Sequence, residues 1–92
     1  MKFGLAIEAL KLGKKVAREG WNGKGMFLYL TQGSKVPYSK LKKETQKALI
    51  AHPDKEVLIN AHIDMYAADG SIVIGWLASQ TDMLSDDWYI VN

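Results

Sequence analysis

Val57-Leu58-Ile59-Asn60-Ala61-His62-Ile63-Asp64-Met65-Tyr66-Ala67, followed by Ala68-Asp69-Gly70-Ser71 and Ile72-Val73-Ile74-Gly75-Trp76, has the pattern of a β-hairpin. Val57, Ile59, Ala61, Ile63, Met65 and Ala67 alternate with Leu58, Asn60, His62, Asp64 and Tyr66. A period of two sends the two sets to opposite faces of a strand. Asp69-Gly70 is a favoured two-residue type I′ turn. That turn sets Ala67 against Ile72, Met65 against Ile74 and Ile63 against Trp76. One face is then apolar and points to a core, while the other carries His62, Asp64, Tyr66, Val73 and Gly75.

The chain upstream supplies a helix and two more strands. Phe3, Ala6, Ile7 and Leu10 follow helical spacing, with Leu5, Ala9 and Leu12 as a second stripe beside them. Such a helix is apolar around much of its girth, so it is expected to pack on a sheet and to meet a partner subunit. Gly13 suits its C-terminus, where Lys11, Lys14 and Lys15 meet the negative helix end. Strands are expected at Lys15 to Arg18 and Met26 to Thr31, with Gly20-Trp21-Asn22-Gly23-Lys24-Gly25 as the loop between them. Gln32 to Tyr38 reads as a connection. Ser39 is a plausible N-cap for a second helix from Lys40 to about Ala51, stopped by Pro53. Downstream of the hairpin, Thr81 can cap a helical turn from Asp82 to Asp86, before a last strand from Trp88 to Val91. These elements predict an α+β fold: a mostly antiparallel β-sheet, an N-terminal helix and a second helix inserted between strands.

Ninety-two residues suit a single domain spanning 1–92, with 48% apolar and 24% charged side chains, as in an ordinary globular protein. No cysteine is present, which rules out disulfides, thiol catalysis and thiolate metal sites. The N-terminal run Met1 to Ile7 is broken by Glu8 too early for a signal peptide, and no segment reaches the length of a membrane span. A cytoplasmic protein fits these features. The net charge of +2 hides an asymmetry. Twelve bases against five acids make residues 1–56 +7, whereas five Asp and no base make residues 57–92 −5. A nucleic-acid-binding accessory protein would use the basic part on phosphates. Eleven of the twelve bases are Lys, which more often mark solvated surface, and the two parts can instead sit against each other within or between subunits.

Two Trp-centred polar clusters carry the chemistry. Trp76-Leu77-Ala78-Ser79-Gln80-Thr81-Asp82-Met83 sets a ring beside small polar side chains and one carboxylate. Arg18 and Glu19-Gly20-Trp21-Asn22-Gly23-Lys24-Gly25 set another ring among glycines, an amide and two bases. Small-molecule sites combine aromatic walls with a few placed polar groups, and glycine-rich backbone binds anions. The loop matches neither a P-loop nor GxGxxG. Trp21 can plug the edge of the core or serve as a stacking platform. Trp76 can be core or pocket wall, and Trp88 reads as core or interface. A Ser79–His62–Asp64 triad can be written down, but no nucleophile-elbow pattern supports it. His62-Ile63-Asp64, with Asp69 or His52, lacks four-ligand metal spacing. Asp86 and Asp87 read as solvated or as partners of a neighbouring subunit's basic part.

The same residues resemble a known family. Ala9-Leu10-Lys11-Leu12-Gly13-Lys14-Lys15-Val16-Ala17-Arg18 running into Gly20-Trp21-Asn22-Gly23-Lys24-Gly25-Met26 is similar to the opening of small phage and prophage proteins of the Thoeris anti-defence 2 family. His62-Ile63-Asp64-Met65, Asp69-Gly70, the string from Trp76 to Met83 and Asp87-Trp88 resemble its C-terminal signature. The resemblance implies no enzyme and no cofactor. It implies a sponge that traps the glyco-cyclic ADP-ribose signal of bacterial TIR-domain defence enzymes, with cyclic dinucleotides captured by some members at a separate site. It implies a homotetramer in the host cytoplasm, with ligand held between protomers. On side-chain chemistry, Trp21 and Trp76 would wall the adenine and ribose. Asn22, Ser79, Gln80, Thr81 and Asp82 would hydrogen-bond polar edges, and Arg18 or Lys24 would offset pyrophosphate charge.

Overall fold

The computed structural model describes residues 1–49 and 55–92. In chain order the elements are α1 (Phe3–Lys11), β1 (Lys15–Arg18), β2 (Phe27–Thr31), β3 (Ser34–Pro37), a 3₁₀ turn (Tyr38–Lys40), α2 (Lys43–Ala48), β4 (Glu56–Ile59), β5 (His62–Tyr66), β6 (Ile72–Ile74), α3 (Gln80–Leu84) and β7 (Trp88–Val91). All strand pairs among them are antiparallel. The α+β class, the N-terminal helix and the second helix between strands are as the sequence predicts. Two compact units result, one of Met1–Thr31 with His62–Asn92 and one of Gln32–Ala61.

The first unit is a five-stranded sheet in the order β6-β5-β2-β1-β7, with α1 packed across one face. Val16 stands opposite Leu28 and Leu28 opposite Met65, so the middle of that face is one apolar row. Ala6, Ala9 and Leu10 of α1 close over it together with Trp88, and all seven side chains are buried. The two alanines let the helix approach closely, and burying a side chain the size of Leu10 or Leu28 contributes about 1.5–3 kcal/mol. α1 ends as expected: Gly13 N–H donates to Leu10 O at 2.9 Å and Lys14 N–H to Ala9 O at 3.1 Å, the two bonds of a Schellman turn. Its second stripe stays uncovered at Leu5 and Leu12. The other sheet face carries Phe27 stacked on Tyr66 with ring centroids 5.2 Å apart, and Lys15 Nζ 4.9 Å above the Phe27 ring.

The hairpin differs from its expected register. Tyr66 faces Ile72, Met65 faces Val73 and Asp64 faces Ile74. The turn is one residue longer than a type I′ turn: Ala67 O accepts from Gly70 N–H at 2.9 Å, and Ala67 N–H donates to Ser71 O at 2.8 Å. A type I′ turn needs positive φ at both central residues, and among the described residues only glycines have it. Asp69 instead caps Ser71, accepting from its N–H at 2.9 Å and its hydroxyl at 2.6 Å, while Gly70 alone takes the left-handed conformation. A one-residue slip exchanges the faces of a strand. Ile72 and Ile74 therefore turn away from the core face and Val73 towards it. At Gly75, φ +78°, the chain bulges and the slip is undone, so that Trp76 N–H donates to Ile63 O at 2.7 Å. Trp76 thus packs against the core beside Ile63, as expected, by a different route.

Three further boundaries shift. The alternation from Val57 to Ala67 is not one strand, because β4 pairs with β3 in a separate two-stranded sheet while β5 pairs with β2. The expected connection at Gln32 to Tyr38 therefore contains a strand. Ser39 lies in the 3₁₀ turn and α2 begins only at Lys43, because Gln46 Nε2 donates to the Tyr38 and Leu41 carbonyls and Tyr38 Oη donates to Gln46 O, tying the turn to the helix. The expected helix end near Ala51, its stop at Pro53 and His52, weighed above with the metal spacing, lie outside the described residues. At α3 the cap is Ser79 rather than Thr81: Ser79 Oγ accepts from Asp82 N–H and Asp82 Oδ2 accepts from Ser79 N–H, a complete capping box.

Two substitutions that add the same methyl group should have opposite signs. A Cβ at Gly75 or at Gly4 meets nothing within 4 Å, so only backbone preference acts. Gly75→Ala should lose about 1–2 kcal/mol, because an L-residue resists the left-handed region. Gly4→Ala, inside α1, should gain about 0.5–1 kcal/mol. Urea unfolding of both variants tests the pair.

Candidate functional site

Where β1 ends, the chain must turn back to β2 across only eight residues, and the glycines of the loop make this turn possible. The loop encloses a cavity of about 310 Å³ lined by Arg18, Glu19, Trp21, Asn22, Gly23, Lys24, Gly25, Met26 and, from β7, Tyr89. Asn22, Lys24 and Tyr89 are exposed at it, and the Asn22 and Lys24 side chains make no hydrogen bond or ion pair among the described residues. These are the groups available to a ligand. Trp21 is half-buried and packs edge-on against Trp88 at 5.4 Å and Trp76 at 6.4 Å, and Trp76 meets Trp88 at 6.2 Å. It is a core plug and a cavity wall at once.

An ion network centred on Arg18 runs from the cavity lining to the residues behind it. Its Nη1 donates to Asp82 Oδ1 at 2.7 Å, its Nε to Asp87 Oδ1 at 2.8 Å and its Nη2 to Asp87 Oδ2 at 3.4 Å. Asp82 Oδ1 also accepts from Trp21 Nε1 at 3.1 Å, and Asp87 Oδ2 from Gly20 N–H at 2.8 Å. Trp88 Nε1 donates to the Asp82 carbonyl at 2.9 Å, and the N-terminal ammonium donates to the Trp88 carbonyl. Hydrogen bonds that Arg18 donates to Asp87 and Asp82 raise its pKa further above its already high value. Burial pushes the Asp82 carboxyl up, but Arg18, Trp21 and Ser79 outweigh it and hold it below the ordinary carboxylate value. Asp87 is held low chiefly by Arg18, helped by the Gly20 amide.

Residues 1–91 match the family profile of the Thoeris anti-defense 2-like domain. Thoeris anti-defense 2 of Bacillus phage SP01 is 39% identical over 92 residues, which covers 100% of this chain and 96% of the phage protein. The chain belongs to the Thoeris anti-defence 2 family.

Of the nine residues singled out in the sequence, four come together at the cavity of this Thoeris anti-defence 2 domain: Arg18, Trp21, Asn22 and Lys24. Trp76 and Asp82 stand one layer behind, touching Trp21 by ring edge and by hydrogen bond. Ser79 is spent on the capping box, and Gln80 and Thr81 sit exposed on the first turn of α3, away from the cavity lining. Glu19, Tyr89 and Asp87 are the residues that sequence reasoning missed at this site. Asp87 was read as solvated or paired with a neighbouring subunit; its partner is Arg18 of its own chain. One signal was present: the chain's one arginine has a fork that calls for a bidentate carboxylate.

The other constellation resolves differently. Asp64 is 2% exposed and accepts from Thr31 Oγ1, pairs with His62 Nδ1 at 2.7 Å and accepts from Gly75 N–H at 3.0 Å. Burial raises its pKa, and these three hydrogen bonds more than offset the rise. The Ser79 hydroxyl points into its own helix cap, so Ser79, His62 and Asp64 do not form a triad. Among the described residues no three His, Asp or Glu side chains are grouped to hold a metal ion, and no helix is long and apolar enough to cross a membrane.

Asp82→Ala removes the side-chain half of the Ser79 capping box and one arm of a largely buried ion network, and should cost about 2–3 kcal/mol, below the full loss of a buried pair because Asp87 still serves Arg18. Asp86→Ala, at an exposed neighbour, should change stability by less than about 0.5 kcal/mol. Because the folded-state pKa values of Asp82 and Asp87 are depressed, the stability they confer is present above the unfolded value. It is lost as pH falls through the folded one. Melting temperature, followed by near-UV circular dichroism of the tryptophans, should fall as pH drops below the ordinary carboxylate value of about 4. A flat profile below that value would contradict the network.

Proposed function

We propose that this chain is a non-catalytic anti-defence sponge, which binds and sequesters a glyco-cyclic ADP-ribose signal of the 1″–3′ type and so keeps the Thoeris effector from being activated. The carrying observation is the glycine-loop cavity, where uncommitted polar side chains meet aromatic walls in a member of this family. Trp21 and Tyr89 offer ring surfaces to an adenine or ribose, Asn22 a paired donor and acceptor for its polar edge, and Lys24 a charge for the pyrophosphate. Backbone amides of the loop add anion-binding capacity.

Sequestration requires tight stoichiometric binding and no turnover. The arrangement suits that task, since the polar groups with known partners are bound to each other and not aimed at a reacting centre. Asp82, bonded to Arg18 of the cavity lining, acts in this reading from behind the wall, with Trp76 and Ser79. The cavity lies at the lower end of the range of about 300–1,000 Å³ for small-molecule sites. In this reading one chain supplies part of an enclosure that a second protomer of a homotetramer completes, with ligand held between subunits. Gln80 and Thr81 would then face ligand from the adjoining protomer. A cyclic dinucleotide is a second candidate ligand at a separate site, and the host cytoplasm is where such signals are met.

Calorimetric titration with 1″–3′ glyco-cyclic ADP-ribose, followed by heating and chromatography of the released ligand, tests this reading. Tight binding with intact ligand recovered is expected, and Trp21→Ala should weaken it about 5- to 150-fold, the range of one base–aromatic stack. No binding would remove this ligand, and recovery of an altered nucleotide would make the protein an enzyme.

A further inference from the structure

We propose that Asp87 is a positioning residue for the cavity: it holds the Gly20–Gly25 loop in the conformation that presents Asn22 and Lys24. The proposal rests on the nucleotide-binding reading above only for what the cavity takes. Three observations carry it. First, Asp87 grips both ends of the loop's entry, since its carbonyl accepts from Glu19 N–H at 3.2 Å and its Oδ2 from Gly20 N–H at 2.8 Å. Both carboxylate oxygens also face Arg18, whose third nitrogen reaches Asp82 and through it the Trp21 indole. Loop and ring are thus fastened by one connected clasp.

Second, the sequence makes room for this contact. A Cβ at Gly20 would lie 2.7 Å from Asp87 Oδ2 and 3.1 Å from Arg18 Nη2, so a side chain there would push the carboxylate off the amide. Third, beyond Trp21 nothing else among the described residues fastens the loop by a side-chain hydrogen bond. Asn22, Gly23, Lys24 and Gly25 appear in no such bond, and the cavity's shape depends on where the clasp sets their backbone. A carboxylate accepting from a guanidinium fork and an amide is a strong, directional anchor.

The test compares Asp87→Ala, Asp87→Asn and Gly20→Ala with the unaltered protein by amide hydrogen exchange and by titration with 1″–3′ glyco-cyclic ADP-ribose. Asparagine keeps the size and one acceptor oxygen, which guards against a variant that fails to fold. Exchange of the Glu19, Gly20 and Trp21 amides, the hydrogen-bonded N–H groups at the loop's start, should quicken about tenfold or more in Asp87→Ala, as expected when a hydrogen bond to a charged group is lost, and less in Asp87→Asn. Protection of α1 and β5 should stay unchanged, and affinity should fall in step with the loop's opening. The Asp87→Ala/Gly20→Ala pair should be no worse than the worse single variant, because both break the same contact. An even rise in exchange over α1, β2 and β5 would make Asp87 a general stability residue and overturn the proposal. Weakened binding with unchanged loop exchange would overturn it too, as would additive losses in the double variant. If the unaltered protein does not bind the nucleotide, the ligand reading fails separately, and the exchange pattern alone decides the clasp.

Discussion

Arg18 is the one guanidinium in a chain whose other bases are lysines, and two segments far apart in sequence are ordered around it. It leaves the end of β1 and reaches Asp82 in α3 and Asp87 just before β7. Its side chain is 11% exposed, so the charge is desolvated enough that losing either carboxylate would be felt. A lysine could not satisfy both partners in this fork geometry. Through Asp82 the network reaches the Trp21 indole and the cap of a five-residue helix too short to stand alone. Through Asp87 it reaches the glycine loop. The network thus connects the cavity lining at Arg18 and Trp21 with the capped end of α3.

The three tryptophans show how core and site share material. Trp88 is 1% exposed and touches Phe3, Trp21 and Trp76, and its indole N–H is satisfied by the Asp82 carbonyl. Trp21 spends its polar tip on Asp82 and its body partly on Trp88, leaving the remaining surface for the cavity. Edge-to-face contacts of this kind are worth about 0.5–1.5 kcal/mol each beyond area burial. A ring supported on two sides in this way is a rigid wall, which lowers the entropic cost of binding. The charge asymmetry along the chain finds a physical role here as well. Arg18 from the basic part meets Asp82 and Asp87 from the acidic part within one subunit, while most of the lysines stay exposed to solvent.

Legibility from sequence varied with how local the governing force was. β1, β7 and α1 were readable because periodicity, the glycine at the helix end and the spacing of apolar residues act over a few positions. The hairpin was readable as a hairpin but not in register, since Asp69-Gly70 suits two turn types and the side-chain bonds from Asp69 to Ser71 select the longer one. The strand break near Asn60 left no mark in the alternation, because β4 and β5 keep the same period while pairing with different partners. Ser79 and Thr81 are both good caps on paper. The reciprocal bond from Asp82, three residues after Ser79, decides between them.

At the site, composition and spacing of the loop established which chemical groups are offered: a ring, an amide, a lysine and glycine backbone. The family strings in the chain identified the class of protein for the same reason, as they lie in contiguous segments. What the tertiary structure decided is which groups are spent and which are available. Arg18 is separated from Asp82 and Asp87 by more than sixty residues in sequence, and only the antiparallel pairing of β1 with β7 sets Arg18 opposite Trp88 and so next to Asp87. That pairing turns two presumed ligand contacts into each other's partners and brings Tyr89 to the cavity. Charge and hydrogen-bond saturation depend on distance through space, and a linear sequence carries no record of it.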